Sequence, residues 1–322
     1  MAPAIPDKMK AAAFDRFGGP EVLGIKTVPV PTCGDDEILI RVEAAGVAVW
    51  DPVEREGEMA GMMEGGPRFP YVPGTDGAGE VISVGRNVRR FKEGDRVYAM
   101  AFLSPKGGFY AEFAVVKEKH AARIPRGMKV EQAATLAADG ITALQGLEDH
   151  LRLQAGQRLL IFGASGGVGH IALQLARRLG ARVLAVASGE DGVELARRLG
   201  AEAVVEGHHG DVEKACRDFA PDGLDAALVL ACNDRCQSVL KKHVRQGGRI
   251  AHPNGVEPPP QGPEVIAYDG VPRQSTLERL NELIEAGPFH LEIGRVYAME
   301  EAARAQKEVL QHHLGKLALR IH

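Results

Sequence analysis

Apolar and polar positions alternate along two stretches of the N-terminal third, Glu37-Ile-Leu-Ile-Arg-Val-Glu-Ala44 and Gly79-Glu-Val-Ile-Ser-Val-Gly85. A period of two marks half-buried strands. Phe91 to Tyr98 and Gly107 to Val116 add further turn and strand signals up to Ile124-Pro125, so this third reads as a β domain. From Glu131 to Leu151 the chain becomes Ala- and Leu-rich and helical in pattern, which puts a boundary near residue 125. Leu159 to Phe162 is then a short apolar run of the kind buried in parallel sheets, and Val168, Ile171, Ala172, Leu175 and Leu179 recur on one helix face. Arg182 to Ala187 predicts a second strand, Glu194 to Ala201 a second helix, and Val204-Val205 a third strand. That order is βαβαβ, the nucleotide-binding half of a doubly wound α/β sheet.

Two more buried strands follow, Leu224 to Ala231 and Gly247 to His252. Val256 to Pro263 holds four prolines and reads as a surface loop, since proline cannot donate to a sheet ladder. A helix from about Ser275 to Ala286 comes next. Strand Ile293 to Tyr297, helix Met299 to Gln311 and strand Leu317 to Ile321 are able to return to the first domain. There is no internal repeat.

The period changes from strand to helix at Gly163-Ala-Ser-Gly166-Gly-Val-Gly169. Glycines there let the backbone approach a diphosphate, and the N–H groups and dipole of a helix N-terminus favour its charge. The spacing is not the usual G-x-G-x-x-G, and tight helix–strand packing is the alternative reading.

Composition narrows the choice. The 322 residues suit two domains, and 39 basic against 43 acidic residues give a formal charge of −4 without a basic stripe. Nucleic acid and anionic membrane are therefore not expected partners. No apolar run approaches the roughly 20 residues that span a bilayer. The start, Met1-Ala-Pro-Ala-Ile-Pro-Asp-Lys8, lacks a basic region followed by an apolar one, so a soluble cytoplasmic protein is expected. The four cysteines, Cys33, Cys216, Cys232 and Cys236, are too few for a disulfide framework. Buried free thiols are expected at Cys232 and Cys236, with no cluster nearby to complete a metal site.

Several further stretches complete a pattern across nearly the whole chain: Val72-Pro-Gly-Thr-Asp-Gly-Ala-Gly-Glu80, Phe91-Lys-Glu-Gly-Asp-Arg-Val97, Gly108-Phe-Tyr-Ala-Glu112, Ala133-Ala-Thr-Leu136, Gly140-Ile-Thr-Ala143 and Gly315-Lys-Leu-Ala-Leu319. With the glycine turn they resemble the medium-chain dehydrogenase/reductase superfamily, and most closely its zinc-free quinone oxidoreductase branch. The resemblance implies a GroES-like β-rich catalytic domain over residues 1–125, completed by 288–322, and a Rossmann dinucleotide-binding domain over 126–287. It implies a cleft between them for nicotinamide and a small-molecule electron acceptor, and a homodimer. It places cofactor contacts at Thr142, Ser165, Gly166, Gly167, Val168, Ser188, Ala231, Cys232 and His252.

Zinc members of the superfamily use Cys, His and Cys or Asp as ligands. Here the first position falls at Ala48, the His position at Thr75, and only Asp139 stands at the third. No zinc is expected, since one carboxylate does not hold the metal. The related reductases usually carry Asn where Ala48 stands and often Tyr where Val53 stands, so the proton donor is open. Asp139 is the candidate, as a carboxyl kept protonated in an apolar cleft; a helix-start carboxylate accepting backbone N–H bonds is the alternative. Trp50 and Tyr98 are candidates for the acceptor pocket, or else core. His252 is either a catalytic or a satisfied loop histidine.

An acid at the tip of the second strand would select NAD, but Ala187 and Ser188 stand there, which favours NADPH over NADH. Against this, Glu190 and Asp191 lie close by. Gly192 replaces a lysine and Gly207 a tyrosine common in resembling sequences, for which Arg197 or Arg198 could compensate. The expected function is zinc-independent, NADPH-dependent hydride transfer to a quinone or an α,β-unsaturated carbonyl. A non-catalytic regulatory or interaction protein of the same fold, binding nucleotide weakly, is the second reading, and a zinc-requiring alcohol dehydrogenase the third.

Overall fold

The computed structural model describes residues 5–232, 234–256 and 265–322. Most of the expected proline loop, residues 257–264, lies outside them, as do residues 1–4 at the start. The chain divides into two compact units: residues 1–138, 272–281 and 293–322 form one, and residues 139–271 and 282–292 the other.

The first unit contains strands β1 (Lys8–Ala13), β2 (Gly24–Pro29), β3 (Glu37–Val47), β4 (Asp76–Val84), β5 (Arg96–Met100), β6 (Phe113–Lys117) and β7 (Ala121–Arg123), with short helices α1 (Asp51–Glu56) and α2 (Val130–Ala133). The second begins within helix α3 (Ala137–Gln145). It continues through β8 (Arg158–Phe162), α4 (Gly167–Arg178), β9 (Arg182–Ala187), α5 (Gly189–Arg198), β10 (Ala203–Glu206), α6 (Val212–Phe219), β11 (Leu224–Val229), α7 (Asp234–His243), β12 (Val244–Pro253) and β13 (Val265–Tyr268). Helix α8 (Gln274–Glu285) has residues in both units, and β14 (Ile293–Ala298), α9 (Ala302–Glu308) and β15 (Lys316–Arg320) belong to the first.

In the first unit a seven-stranded sheet runs β14-β15-β3-β4-β5-β7, with β6 also on β3; every pair is antiparallel except β14 with β15. Its core is the alternating inward set read from the sequence, including Ile38, Ile40, Val42 and Val81, closed by Phe14, Phe109 and Tyr110. Gly77 is required beneath this layer, because a Cβ there would stand 2.1 Å from Phe109 Cδ1.

The second unit holds six parallel strands in the order β10-β9-β8-β11-β12-β13, the two-halved arrangement of a dinucleotide-binding sheet. Leu160, Phe162, Leu184, Val186, Ala227 and Val229 pack against Cys216 and Phe219 of α6 and Val239 and Leu240 of α7. Burying each of the larger side chains is worth about 2 kcal/mol. No helix among the described residues is long and apolar enough to cross a membrane.

Packing adds detail to three expectations. The first compact unit runs on to residue 138, past the boundary expected near 125, because α2 packs on β3, β4, β14 and β15. Residues 272–281 also join that unit rather than the second: Tyr98 Oη donates to Asn281 Oδ1 at 2.8 Å, and Asn281 Nδ2 to the Arg123 carbonyl at 2.9 Å. The helical pattern expected over Glu131 to Leu151 is divided among α2, α3 and a π-helical turn at Gly146–His150.

The glycine turn separates packing from binding space. A Cβ on Gly169 would lie 2.0 Å from the Gly163 carbonyl oxygen, whereas one on Gly166 would meet only that oxygen, at 3.6 Å. Gly169→Ala should lower the unfolding free energy by about 1–3 kcal/mol. Gly166→Ala should change it by less than about 1 kcal/mol. Urea titration of the two variants checks this, and equal losses would contradict it.

Candidate functional site

The candidate nucleotide site of the second unit is built at the carboxyl edge of the parallel sheet, where β8, β9, β11 and β12 end. Gly163 has φ +82°, a left-handed conformation that glycine adopts without strain. Its N–H and that of Ala164 donate to the Val186 carbonyl at 3.1 and 3.0 Å, tying the turn to β9. Gly166 precedes α4 and no side chain caps the helix, so N–H groups of its first turn, at Gly167 and Val168, can meet an anion. Gly166, Gly167 and Val168 are half-buried, which leaves them reachable.

His170 fastens the turn from below. Its Nε2 accepts from Glu292 N at 3.2 Å, so the proton sits on Nδ1, which donates to the Gly166 carbonyl at 2.9 Å. Burial lowers its pKa, while the charge of Asp139 pulls the other way. Asp139 itself lies in the first turn of α3 and is buried.

Ser165 is buried, and its Oγ accepts from Ser188 N at 3.3 Å. A Cβ at Gly192 would stand 2.8 Å from the same Oγ, which explains why that position bears no side chain. Ser188 is half-buried after β9, and its Oγ lies 3.0 Å from His208 Nε2. The nearby acid, Glu206, accepts from the N–H groups of Gly189 and His208 at 3.2 and 2.8 Å, and also from that of His209. These bonds hold its pKa low. Of the two readings of Arg197 and Arg198, compensation at the phosphate or solvated helix charges, their place in the last turn of α5, at the far end from Ser188, fits the second; Arg198 pairs with Glu292 at 2.6 Å.

Ala231 is exposed beside the turn, its N 3.4 Å from where a Gly163 Cβ would stand. Cys232 is not the free thiol expected. It forms a disulfide with Cys236, the pair sitting four residues apart at the start of α7 with Cα atoms 5.3 Å apart, within bridging range. His252 lies buried on β12 with Nδ1 3.3 Å from the Pro253 carbonyl, and the Thr142 carbonyl accepts from Tyr268 Oη at 2.9 Å.

The first unit carries its own group of candidate residues. Strand β3 ends at Val47, and the turn after it is closed by Asp51, whose Oδ2 accepts from Ala48 N at 2.9 Å and from Tyr110 Oη at 2.7 Å. Gly74, at φ +106°, lets the Tyr110 ring pass: a Cβ would lie 2.4 Å from its Cδ1. One helical turn on, Glu54 accepts from Tyr71 Oη. Burial raises Asp51 to about 6. Burial, then the charge of Asp51, raises Glu54 to about 8. Lys316, itself buried, opposes the shift at Asp51.

The same turn presents Trp50. Its Nε1 donates to Thr75 Oγ1 at 2.9 Å, its ring meets Phe102 edge to face at 6.5 Å and 89°, and Lys316 Nζ lies 5.7 Å from its centroid. Tyr98, expected with Trp50 in the acceptor pocket, is core instead: it is wholly buried and its hydroxyl is engaged by Asn281. Among the described residues no three His, Cys, Asp or Glu side chains are grouped to hold a metal ion. Sequence reading passed over Asp51, Glu54, Lys316 and His208. Asp51-x-x-Glu54 was the available signal, two carboxylates on one helix face.

Known proteins resemble both units. Residues 34–126 match the family model described as alcohol dehydrogenase GroES-like domain, and residues 167–274 one described as zinc-binding dehydrogenase. Quinone oxidoreductase of Mus musculus is 34% identical, with 96% of each chain covered. The chloroplastic NADPH-dependent alkenal/one oxidoreductase of Arabidopsis thaliana is 33% identical over 88% of this chain and 71% of its own. A crystal structure of an NAD-dependent alcohol dehydrogenase superposes with a TM-score of 0.87 at 28% identity, covering 98% of this chain and 100% of that one.

The buried acids predict a pH dependence. In the unfolded chain Glu54 ionises above its ordinary value of 4.5, whereas in the folded chain it keeps its proton until about 8. Within that interval the folded chain binds the extra proton, so stability falls as pH rises, by up to about 1.4 kcal/mol per pH unit. Glu54→Gln should flatten this slope in urea titrations between pH 5 and about 8. An unchanged slope would contradict the assignment.

Proposed function

The chain belongs to the medium-chain dehydrogenase/reductase superfamily, in its quinone oxidoreductase-like branch, and from that premise we propose a zinc-independent, NADPH-dependent oxidoreductase that passes hydride to a quinone or an α,β-unsaturated carbonyl. The observation that carries this reading is the Trp50–Thr75 hydrogen bond beside Ala48. Catalytic zinc needs three protein donors. Ala48 has none to give and the Thr75 hydroxyl is engaged by an indole, so the residues do not fit the metal and no step uses it. Without a Lewis acid, the suitable acceptor is one already made electron-poor by conjugation. The names of the relatives, a quinone oxidoreductase and an alkenal/one oxidoreductase, support acceptors of that class.

The second unit fits a dinucleotide, given the open space above Gly166 and the uncapped start of α4. The nicotinamide supplies the hydride when bound. The chain's part is positional. N–H groups of Gly167 and Val168 hold the diphosphate, and His170 keeps their turn fixed through Gly166. Ser188 and His208 offer hydrogen bonds to a 2′-phosphate, while Glu206 is turned onto backbone amides and presents less repulsion than a free acid would. In the first unit the hydroxyls of Tyr71 and Tyr110 are engaged by buried acids. A hydroquinone anion can take its proton from water near neutral pH, so neither hydroxyl is needed for it.

NADPH oxidation across a panel of quinones, enones and saturated ketones tests the reading. Turnover of the conjugated acceptors alone is expected; nucleotide binding without any turnover would overturn it. In equilibrium titrations NADPH should bind about tenfold more tightly than NADH. Ser188→Asp should reverse that order by placing a carboxylate at the phosphate, and tighter NADH binding by the unaltered chain would sink the preference.

A further inference from the structure

We propose that Trp50 is a fixed aromatic plate that selects flat, electron-poor ring acceptors, a quinone ring in particular, over aliphatic enones. This rests on the reductase reading above and narrows it.

Trp50 is the chain's single tryptophan and is half-buried rather than enclosed in the core. Three contacts immobilise it: Nε1 to Thr75 Oγ1 at 2.9 Å, the Phe102 edge at 6.5 Å, and the Lys316 ammonium 5.7 Å from its centroid. A cation at that distance from an indole is attracted by the ring quadrupole. Thr75 holds both aromatics, because its carbonyl also accepts from Ala101 N at 2.7 Å and thereby anchors the turn that carries Phe102. The next residue, Leu103, is held at φ +49°, a strained conformation for a leucine. Phe102 and Val49 are nonetheless 39% and 54% exposed, so this strained, fixed corner ends in an apolar surface.

The polar groups of the corner that could reach a ligand are engaged; Asp51 Oδ1 has no hydrogen-bond partner but is wholly buried. The indole N–H is engaged by Thr75, and Asp51 Oδ2 by Ala48 N and Tyr110 Oη. What remains for a ligand is π-surface and few hydrogen bonds. An electron-rich indole stacks on an electron-poor ring with about 1 kcal/mol beyond area burial, and its immobility removes most of the ordering cost. A short aliphatic enone gains little from either effect.

Two measurements on the full chain test the plate. Fluorescence of Trp50 is titrated, without nucleotide, with a tetramethyl-substituted benzoquinone, whose ring is blocked to thiol addition. Saturable quenching is expected; quenching that rises linearly to the solubility limit, as for free tryptophan, would overturn the proposal. The ratio of kcat/KM for this quinone to that for a short aliphatic enone is then compared across variants. It should fall about tenfold in Trp50→Leu and only about twofold to threefold in Trp50→Phe, which keeps a ring and guards against misfolding of the first variant. An unchanged ratio in both would overturn the plate. Saturable quenching by a chain that reduces neither acceptor would retain the plate and remove the reductase reading instead.

Discussion

The first unit's site depends on one carboxyl, that of Asp51, with donors from Ala48 N and Tyr110 Oη on the same oxygen. It closes the turn between β3 and α1, and so decides where Ala48 and Trp50 stand. A buried carboxylate is unfavourable unless it is bonded or protonated, and here both remedies operate: two donors, and a pKa raised by burial. Gly74 is a requirement of the arrangement, since any side chain there would block the Tyr110 ring. From this constraint come the indole at Thr75 and a corner whose described residues carry no metal donor set.

The second unit solves a different problem with backbone. Its glycines do two jobs within a few residues: Gly169 allows α4 to close on the Gly163 carbonyl, and Gly166 leaves room for a ligand. His170 is used as a clamp, its neutral ring bridging Gly166 and Glu292. In the proposed NADPH reading, selectivity at the 2′-phosphate rests on weak features, a serine, a histidine and an acid turned onto amides.

The α/β order was legible because buried parallel strands and amphipathic helices have different periods, and five of the six parallel strands come from it. Strand β13 was not, because Val265–Tyr268 is four residues beside a proline-rich run. The boundary at 138 was hidden too: α2 has the same helical pattern as α3, and only its packing on β3 and β4 assigns it to the first unit. At the site, the glycine turn and Ser188 could be read from local sequence. Tyr98 could not, since the partner that engages its hydroxyl, Asn281, lies far along the chain. Nor could the link from Trp50 to Thr75, because no local pattern announces that an indole and a hydroxyl 25 residues apart will meet.

Hydride transfer is proposed to need no metal, because Ala48 and an indole-engaged Thr75 stand at the positions where zinc relatives carry ligands. The most direct measurement is the metal content of the purified chain, taken with its rate of NADPH-dependent quinone reduction before and after exhaustive chelation. The expected result is a rate unchanged by chelation at far less than one zinc per chain. Loss of the rate on chelation, with recovery on adding stoichiometric zinc, would contradict it.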